Sequence, residues 1–330
     1  TNKYKNMIII AASAKVDADI IIKTMRAGAR EFLPKPIEKE DLNKALKKAR
    51  ITLTQEEGSS DGKIYSIFSN KGGIGKTTLA TNLALQLARR TGEKVCLIDL
   101  NLQMGDVATF LDINPSFDIS YVVSNLSRLD KAFLQSSLEQ YKDYDLFILA
   151  EPLDIEQAEE ISVDDINTLL TFLKTMFGYI IVDTDSNFDV KTLTCLDVSD
   201  FILLILMVNL PSIRNCQKCL SLFRRLEYNE DKVKLVVNRY IESEEITLED
   251  VEEALNRQIY WRIPNNYFDV MSSINKGIPV SESNSSLEIS KNFIQLAEKI
   301  HGIELNEEEQ EESQGMFSLF NIETLKGKIK

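Results

Sequence analysis

The sequence predicts an α/β fold in which a mostly parallel β-sheet is covered by helices on both faces. Between about Lys63 and Gly302, short apolar runs typical of buried strands alternate with longer segments of helical periodicity. In addition, a glycine-rich loop joins the first of these strands to a helix, which is the setting of a phosphate-binding loop. The best strand candidates are residues 64–68, 95–99, 145–149, 179–183, 201–208 and 233–237.

Length and charge limit the classes of function. A chain of 330 residues accommodates one large α/β domain and a smaller one. The longest apolar run, Phe201 to Val208, fits a buried strand better than a membrane span, which needs about 18 apolar residues or more. The formal net charge of −13 opposes nonspecific DNA binding, which depends on lysine and arginine to neutralise phosphates. DNA is therefore an unfavoured partner.

Cysteine and histidine usage argues against a disulfide scaffold and against histidine catalysis. The chain begins at Thr1 without a secretory signal, and its four cysteines then favour a reducing, cytoplasmic compartment. Cys216 and Cys219 form a Cys-x-x-Cys pair within a helical pattern, and His301 is the single histidine. Buried helix thiols are therefore favoured over a metal or redox site.

Composition divides the chain into four parts. Residues 1–52 form a small strand–helix–strand–helix segment, and residues 53–62 have the polar, glycine-containing chemistry of a linker. Residues 63–302 form the α/β domain predicted above. Residues 303–330 combine an acidic run with a C-terminal tail.

The first segment has a strand at 7–12, a helix from about Ala18 to Met25, and a closing helix around Leu42 to Leu46. Its run AGAREFLPKPI, from Ala27 to Ile37, resembles the last strand and the Lys-Pro dipeptide of a response-regulator receiver domain, a flavodoxin-like fold. The matching half is the C-terminal one, so the segment resembles part of a degenerate receiver.

This resemblance departs from the receiver pattern in two ways. The half that would carry the acidic pair and the phosphoacceptor aspartate is absent from the sequence. The strand position at which receivers place serine or threonine is assigned to Ala11. Lys35 then has no phosphate to sense, so docking or dimerisation is expected rather than a phospho-switch.

The strongest motif is the loop Lys71-Gly72-Gly73-Ile74-Gly75-Lys76-Thr77, which identifies a P-loop NTPase. Its glycines allow backbone N–H groups to turn towards phosphates, and the following helix adds its positive N-terminal end. Lys76 is expected to reach the β- and γ-phosphates of ATP, the Thr77 hydroxyl to bind Mg²⁺, and Thr78 to lie near the α-phosphate. The alternative, a glycine-rich turn without nucleotide, is disfavoured by the flanking strand and helix.

The same loop resembles that of the MinD/ParA family, the deviant Walker A (SIMIBI) group of P-loop ATPases. Asn70 replaces the usual first glycine and Lys71 follows it, which gives the family signature KGGxGKT. In that family the first lysine crosses a dimer interface to the partner's phosphates. The resemblance therefore implies an ATP-sandwich homodimer through Lys71, the alternative being an exposed loop lysine.

The resemblance spans about residues 63 to 300 and implies further site residues. Asp99 matches the acidic residue near Mg²⁺, and Asp183 matches the Walker B carboxylate. On its own, an aspartate at a strand end is more often a helix cap or a turn residue. Beside the adenine base the resemblance implies the pairs Asn238-Arg239 and Ile263-Pro264, followed by the turn Asn275 to Pro279.

Asn101 is a departure that bears on catalysis. The family commonly has Asp-x-Asp after the second strand, and its second aspartate positions the attacking water, whereas this sequence reads Asp99-Leu100-Asn101. Asparagine orients a water but does not accept its proton. The site is therefore expected to bind ATP well and to hydrolyse it slowly.

Four other stretches, together with the receiver-like segment, resemble the TadZ/CpaE branch of the family. They are Asn101 to Asp106, Arg128 to Asp130, Phe133-Leu134 and Ala150 to Pro152. The resemblance implies a cytoplasmic, polar or membrane-proximal assembly factor for Tad (Flp-type) pili, with pilus-assembly proteins as partners.

The C-terminal part, residues 303–330, is a candidate for attachment to a membrane or to a partner protein. Its apolar residues fall on two sides of a helical wheel, and Gly315 and Gly327 disfavour a helix. Lys326, Lys328 and Lys330 favour an anionic membrane surface. Peripheral membrane or partner docking is the lesser expectation, and a mobile or self-packing tail is the greater. The acidic helix around Glu242 to Glu253 is interpreted as a solvated face.

Two alternatives to the pilus assembly factor stay open. One is an actively cycling ParA- or MinD-type ATPase that positions DNA or division machinery. The other is a small-molecule enzyme of the same superfamily, such as a nitrogenase-reductase relative, although Cys195, Cys216 and Cys219 lack the spacing of an iron–sulfur cluster.

Overall fold

The computed structural model describes residues 9–15, 17–29, 31–39, 41–42, 45–46, 62–242 and 245–302. The predicted linker, apart from Gly62, and the C-terminal tail lie outside these residues. Their assignments therefore stay predictions.

The N-terminal segment pairs two parallel strands, β1 (Ile10–Ser13) and β2 (Glu31–Pro34), which are connected through helix α1 (Ala18–Arg26). Leu42, Ala45 and Leu46 are helical, as predicted. Residues 7 and 8 of the predicted first strand lie outside the described residues.

The pairing of β1 and β2 corrects the position assigned to Ala11. Ser13 is the residue of β1 opposite Pro34, and its carbonyl accepts a hydrogen bond from the Lys35 backbone N–H at 2.9 Å. Ala11 lies two residues earlier, opposite Phe32. The strand residue beside the Lys-Pro dipeptide is thus a serine, and the sequence interpretation was displaced by two residues.

The main sheet contains strands in the order β10-β9-β8-β3-β7-β4-β6-β5. All neighbouring pairs are parallel except β5 with β6. The strands are β3 (Lys63–Phe68), β4 (Val95–Leu100), β5 (Glu139–Gln140), β6 (Leu146–Leu149), β7 (Tyr179–Thr184), β8 (Phe201–Leu206), β9 (Val233–Tyr240) and β10 (Ile259–Pro264).

Helices connect and cover these strands. They are α2 (Lys76–Thr91), α3 (Val107–Phe110), α4 (Ile119–Ser124), α5 (Lys131–Ser137), α6 (Ile155–Glu160), α7 (Val163–Leu173), α8 (Val190–Val198), α9 (Leu210–Arg225), α10 (Leu248–Leu255), α11 (Tyr267–Asn275), α12 (Val280–Ser283) and α13 (Glu288–His301). Within the described ranges, every helix is too short or too polar to cross a bilayer.

The strand side chains alternate between two packed layers. Ile67 and Ile181 belong to a core shared with α2 and α13, whereas Ile64 and Ile180 belong to a core shared with α7. The side of β8 and β9 that faces away from α13 packs on α9 and α10. Because both faces are buried, the central strands contain continuous apolar runs, such as Ile202 to Leu206 in β8, rather than an alternating pattern. The predicted α/β fold with a mostly parallel, doubly covered sheet is confirmed.

Two strands and one helix boundary were not predicted correctly. The six predicted strands are present, and the sheet contains two more, β5 and β10, that were not predicted. Strand β5 has only two residues, and β10 contains the exposed Arg262 and ends at Pro264. The acidic helix begins at Leu248 rather than near Glu242. Thr247 stops the helix from starting earlier, because its hydroxyl accepts the Asp250 N–H in a reciprocal capping box.

Candidate nucleotide-binding site

The glycine-rich loop lies between the central strand β3 and helix α2. Gly73 and Gly75 have φ angles of +69° and +102°, a region that side-chain-bearing residues rarely adopt. A Cβ atom on Gly75 would also lie 2.3 Å from the Asn238 amide nitrogen. The backbone path of the loop therefore requires glycine, and α2 begins at Lys76 with its N-terminus directed at the loop.

Asn238 and Arg239, at the end of β9, brace this loop from the side. The Asn238 amide donates to the Ile74 carbonyl at 2.7 Å, and the Arg239 guanidinium donates to the Gly73 carbonyl at 3.1 Å. The Asn238 side-chain oxygen accepts the Arg239 backbone N–H at 2.9 Å. Sequence comparison implied a base contact for this pair, and the structure adds the bracing of the phosphate loop.

The Lys76 ammonium lies inside the loop and faces the end of β7. It donates to the Ser186 hydroxyl at 2.6 Å. Burial lowers the pKa of Lys76, and the nearby carboxylates Asp183, Asp185 and Asp99 oppose that shift. Ser186 was missed from the sequence, although the polar run Asp183 to Ser186 directly after a buried strand was its signal.

Thr77 and Asp183 form a pair of oxygen ligands at the floor of the site. The Thr77 hydroxyl donates to one Asp183 carboxylate oxygen at 2.6 Å. The other Asp183 oxygen is buried without a hydrogen-bond partner. Burial raises the pKa of Asp183 to about 6, against the opposing effects of the Thr77 hydrogen bond and Lys76.

This pair fits Mg²⁺ better than it fits an all-protein metal cage. In the described part of the chain, no group of three His, Cys, Asp or Glu side chains is arranged to hold a metal ion. Mg²⁺ usually takes one or two protein oxygens and completes its shell with water and phosphate. The unpaired Asp183 oxygen beside the Thr77 hydroxyl has that chemistry.

Asp99 has a different geometry from the one expected of a metal ligand. It is completely buried, and its oxygens accept the backbone N–H groups of Asn101, Asp106 and Val107 at 2.9, 3.0 and 3.0 Å. Burial, Asp183 and Glu151 raise its pKa well above the usual value, and the backbone hydrogen bonds oppose this. The carboxylate organises the loop after β4 through these three backbone hydrogen bonds.

Glu151 adds a third carboxylate that was not assigned to the site from the sequence. One of its oxygens is buried without a hydrogen-bond partner, and its Cβ would lie 2.8 Å from a Cβ on Gly105. The site thus contains three carboxyl groups, those of Asp99, Glu151 and Asp183, and the ammonium of Lys76. A bound cation would favour the ionised forms of Asp99 and Asp183, whose pKa values are raised by burial.

Two further predicted residues, Asn101 and Lys71, are partly buried and exposed, respectively. The Asn101 amide donates to the Met104 carbonyl, so the side chain is part of the loop that Asp99 organises. Lys71, Gly72 and Gly73 are exposed at the front of the phosphate loop. Lys71 thus differs from Lys76, which is partly buried and donates to Ser186.

An adjacent pocket brings the remaining predicted residues together. Its walls include, from the prediction, Gly75, Thr78, Asn238, Arg239, Ile263 and Pro264. Helix α11 contributes one apolar face that was not predicted: Tyr267, Val270, Met271 and Ile274. The i, i+3, i+4, i+7 spacing of that face was the available signal.

The cysteines and the histidine lie outside the site. Cys216 and Cys219 are buried on α9 in the core beneath β8, and burial raises the pKa of Cys219 to about 11. His301 shares a hydrogen bond of 2.7 Å with Tyr179 at the start of β7, the end opposite Asp183. The prediction of buried helix thiols is confirmed.

Known proteins are similar to this chain in sequence and in fold. The family described as an AAA domain matches residues 62–235, just over half of the chain. The septum site-determining protein MinD of Thermotoga maritima is 30% identical over 248 residues, which cover 73% of this chain and 89% of the relative.

Solved structures agree at the level of the fold. A ParA family ATPase from Chlorobium tepidum has a TM-score of 0.68 at 24% identity, covering 71% of this chain and 98% of its own. MinD from Pyrococcus horikoshii, solved as a complex with Mg-ADP, has a TM-score of 0.64 at 21% identity, covering 72% and 96%. With the loop Lys71 to Thr77 placed between β3 and α2, the 30% identity to MinD over 73% of this chain shows that the chain belongs to the MinD/ParA family of P-loop ATPases.

Proposed function

We propose that this chain is an ATP-binding, nucleotide-switched dimeric factor that serves localisation and assembly in Tad (Flp-type) pilus biogenesis and hydrolyses ATP slowly. The observation that carries the proposal is the position of Lys71, exposed at the front of a phosphate loop whose other lysine, Lys76, already faces inward. A lysine so placed is free to reach phosphates bound in a second copy. ATP needs only to bind the dimer more tightly than the monomer to act as a switch.

The ligands of the proposed site are ATP and Mg²⁺. The loop from Lys71 to Thr77 with Thr78 would hold the phosphates, and the pocket beside Asn238 and Pro264 would hold the base. Thr77 and the unpaired Asp183 oxygen would hold Mg²⁺, which supplies charge neutralisation at the β- and γ-phosphates. Asp99 acts through the loop that it organises, and Asn101 lies where a water-positioning carboxylate is common in the family.

The proposed pilus role has support from three parts of the chain. Asp130 caps α5 by accepting the Phe133 N–H, and Leu134 is buried behind it, so the branch-like stretch is an ordered element. Glu151, from another such stretch, lies in the carboxylate cluster. Residues 1–52 form the third part, which we interpret as a partial, degenerate receiver for docking or dimerisation. A cytoplasmic location, polar and close to the membrane, belongs to the same proposal.

The dimer switch is tested by light scattering after size exclusion, with and without ATP and Mg²⁺. Wild type should shift from monomer to dimer on addition of nucleotide, and Lys71→Ala should stay monomeric while a fluorescent ATP analogue still binds. Lys218→Ala, which removes an exposed lysine from α9, is the matched control and should behave as wild type. A dimer that is indifferent both to nucleotide and to Lys71 would remove the switch.

The alternative function is that of an actively cycling ATPase that positions DNA or division machinery. It draws support from the similarity to a septum site-determining protein. Deletion in the native host separates the two. Loss of pili, restored by wild type but not by Lys71→Ala, supports the assembly factor, whereas normal piliation with misplaced septa favours the alternative.

A further inference from the structure

A groove lies between α4, α6 and the start of α7. None of the residues assigned to the nucleotide site lines it. Its walls are formed by Ser116, Phe117, Asp118, Ser120, Tyr121, Val123, Ser124, Gln157, Glu160, Ile161 and Asp165.

One wall of this groove is aromatic and exposed. The rings of Phe117 and Tyr121 are stacked with centroids 4.2 Å apart, and each side chain keeps 38% of its surface accessible. Phe133, on α5, continues the row with its ring 6.0 Å from that of Tyr121. Adjacent exposed aromatic rings mark interaction surfaces, and their faces attract lysine and arginine.

The charged residues of the groove all have one sign. Asp118, Glu160 and Asp165 line it, and within the described part of the chain no lysine or arginine does. Asp118 and Asp165 are fixed in position by hydrogen bonds at helix N-termini. Asp118 caps α4 by accepting the Tyr121 N–H, and Asp165 accepts the N–H of Ser162, the residue that caps α7. Their charges are thus presented in a preorganised arrangement, which favours a complementary partner.

We propose that this groove docks a basic segment of a partner protein, with lysine or arginine side chains over Phe117 and Tyr121 and ion pairs to Glu160 and Asp165. Charge complementarity selects this occupant, because an acidic or neutral peptide would leave the negative wall unpaired. The inference rests on the proposed assembly role and states the chemistry of the partner that this role requires. The predicted branch-specific stretch around Phe133 then forms one edge of a docking surface.

The test is a titration of the full chain with a fluorescein-labelled peptide of arginine, leucine and lysine (RLKRLKRL), followed by anisotropy at physiological ionic strength. The peptide should bind, and its counterpart with glutamate in place of every basic residue should not. Tyr121→Ala and Glu160→Lys should each weaken binding about tenfold, the loss expected when a ring contact or a close ion pair is removed.

Glu253→Lys is the matched control, since it makes the same change of charge at an exposed position on α10. It should change binding by less than about twofold, because a distant exposed charge is screened by salt. Equal weakening by Glu160→Lys and Glu253→Lys would show general attraction to an acidic chain and overturn the proposal. So would unchanged binding by Tyr121→Ala. The titration contains no nucleotide, so its failure is independent of the Lys71 experiment.

Discussion

Asp183 shows how one residue can lower the stability of the protein and serve its ligand at the same time. Burial raises its pKa to about 6, so near pH 7 the folded state holds an ionised carboxylate at a disadvantage relative to the unfolded chain. Asp183→Asn should raise the free energy of unfolding at pH 7 by about 1–2 kcal/mol, since the amide keeps an acceptor for Thr77 without a charge. It should also weaken Mg²⁺-dependent ATP binding.

Urea unfolding without ligand and calorimetric titration with ATP and Mg²⁺ measure these two effects. A carboxyl with a raised folded-state pKa loses stability as pH rises above its unfolded value, so the gain should fade between pH 6 and about pH 4. Asp231→Asn, at a side chain that is 93% exposed, should leave both measurements unchanged. A variant that is less stable than wild type at pH 7 would contradict this account of Asp183.

Asn101 is the residue expected to limit the rate of ATP hydrolysis. Asn101→Asp should raise the single-turnover rate of ATP hydrolysis by about 100-fold, the lower end of what a positioned general base contributes. The variant loses the hydrogen bond to the Met104 carbonyl and adds a charge near Asp99, so it should also be about 1 kcal/mol less stable.

Asn101→Ala separates the carboxylate from the lost hydrogen bond. It should be destabilised to a similar extent and show no gain in rate. Equal rates for wild type and Asn101→Asp would mean that Asn101 does not limit hydrolysis. Rapid hydrolysis by wild type itself would contradict the slow site and favour the cycling alternative.

At the scale of elements, the turn after α11 packs against the chain segment that follows α3. We expect this packing to connect the base pocket with the loop after β4. Gly277 has φ +62°, and a Cβ there would lie 2.3 Å from the Asp112 Cβ. Asp112 follows α3, whose first residue, Val107, holds Asp99 through its N–H. Gly277→Ala should therefore lower the free energy of unfolding by more than the roughly 1–2 kcal/mol that a left-handed backbone conformation alone requires. It should also weaken ATP binding, because α11 lines the pocket.

Gly92→Ala is the control for the backbone effect. Gly92 ends α2 with φ +72°, and a Cβ there would have no atom within 4 Å. Urea unfolding gives the loss of stability in each variant. The difference between the two losses measures the packing of Gly277 against Asp112. Equal losses of stability would show that the contact between Gly277 and Asp112 contributes nothing beyond backbone strain.

The elements that the sequence predicted well are those buried on both faces. Strands such as β4, in which all six residues are buried, have an apolar run that requires no partner to be recognised. Strand β10 was not predicted from the sequence because it is an edge strand with one neighbour. Its residues Tyr260 and Trp261 are therefore only partly buried, and Arg262 is exposed. Edge pairing is decided by tertiary contact rather than by local composition.

The candidate site shows the same division. Residues on the phosphate loop were placed by motif, because glycine spacing is a local property of the chain. Ser186 and Glu151 reach the site only after β7 and β6 are brought beside β3 and β4, so the polar run that ends at Ser186 did not by itself place that residue beside Lys76. The use of Asp99 as a loop organiser is likewise a consequence of backbone N–H groups that only the folded loop presents.

For the whole molecule, the net charge of −13 leads to the last prediction. Sequence-independent DNA binding arises from counterions released as lysine and arginine neutralise phosphates, and affinity then falls by a slope of about 0.9 per phosphate contact on a log–log salt plot. Among the described residues, Lys234 and Lys299 are two side chains that could neutralise phosphates, but both already lie over the ring of Tyr260. Anisotropy of a labelled duplex should therefore stay unchanged on addition of the chain with ATP and Mg²⁺, even at low salt, where attraction is least screened. Binding with a slope equivalent to several phosphate contacts would contradict this expectation and favour the DNA-positioning alternative over the pilus assembly factor.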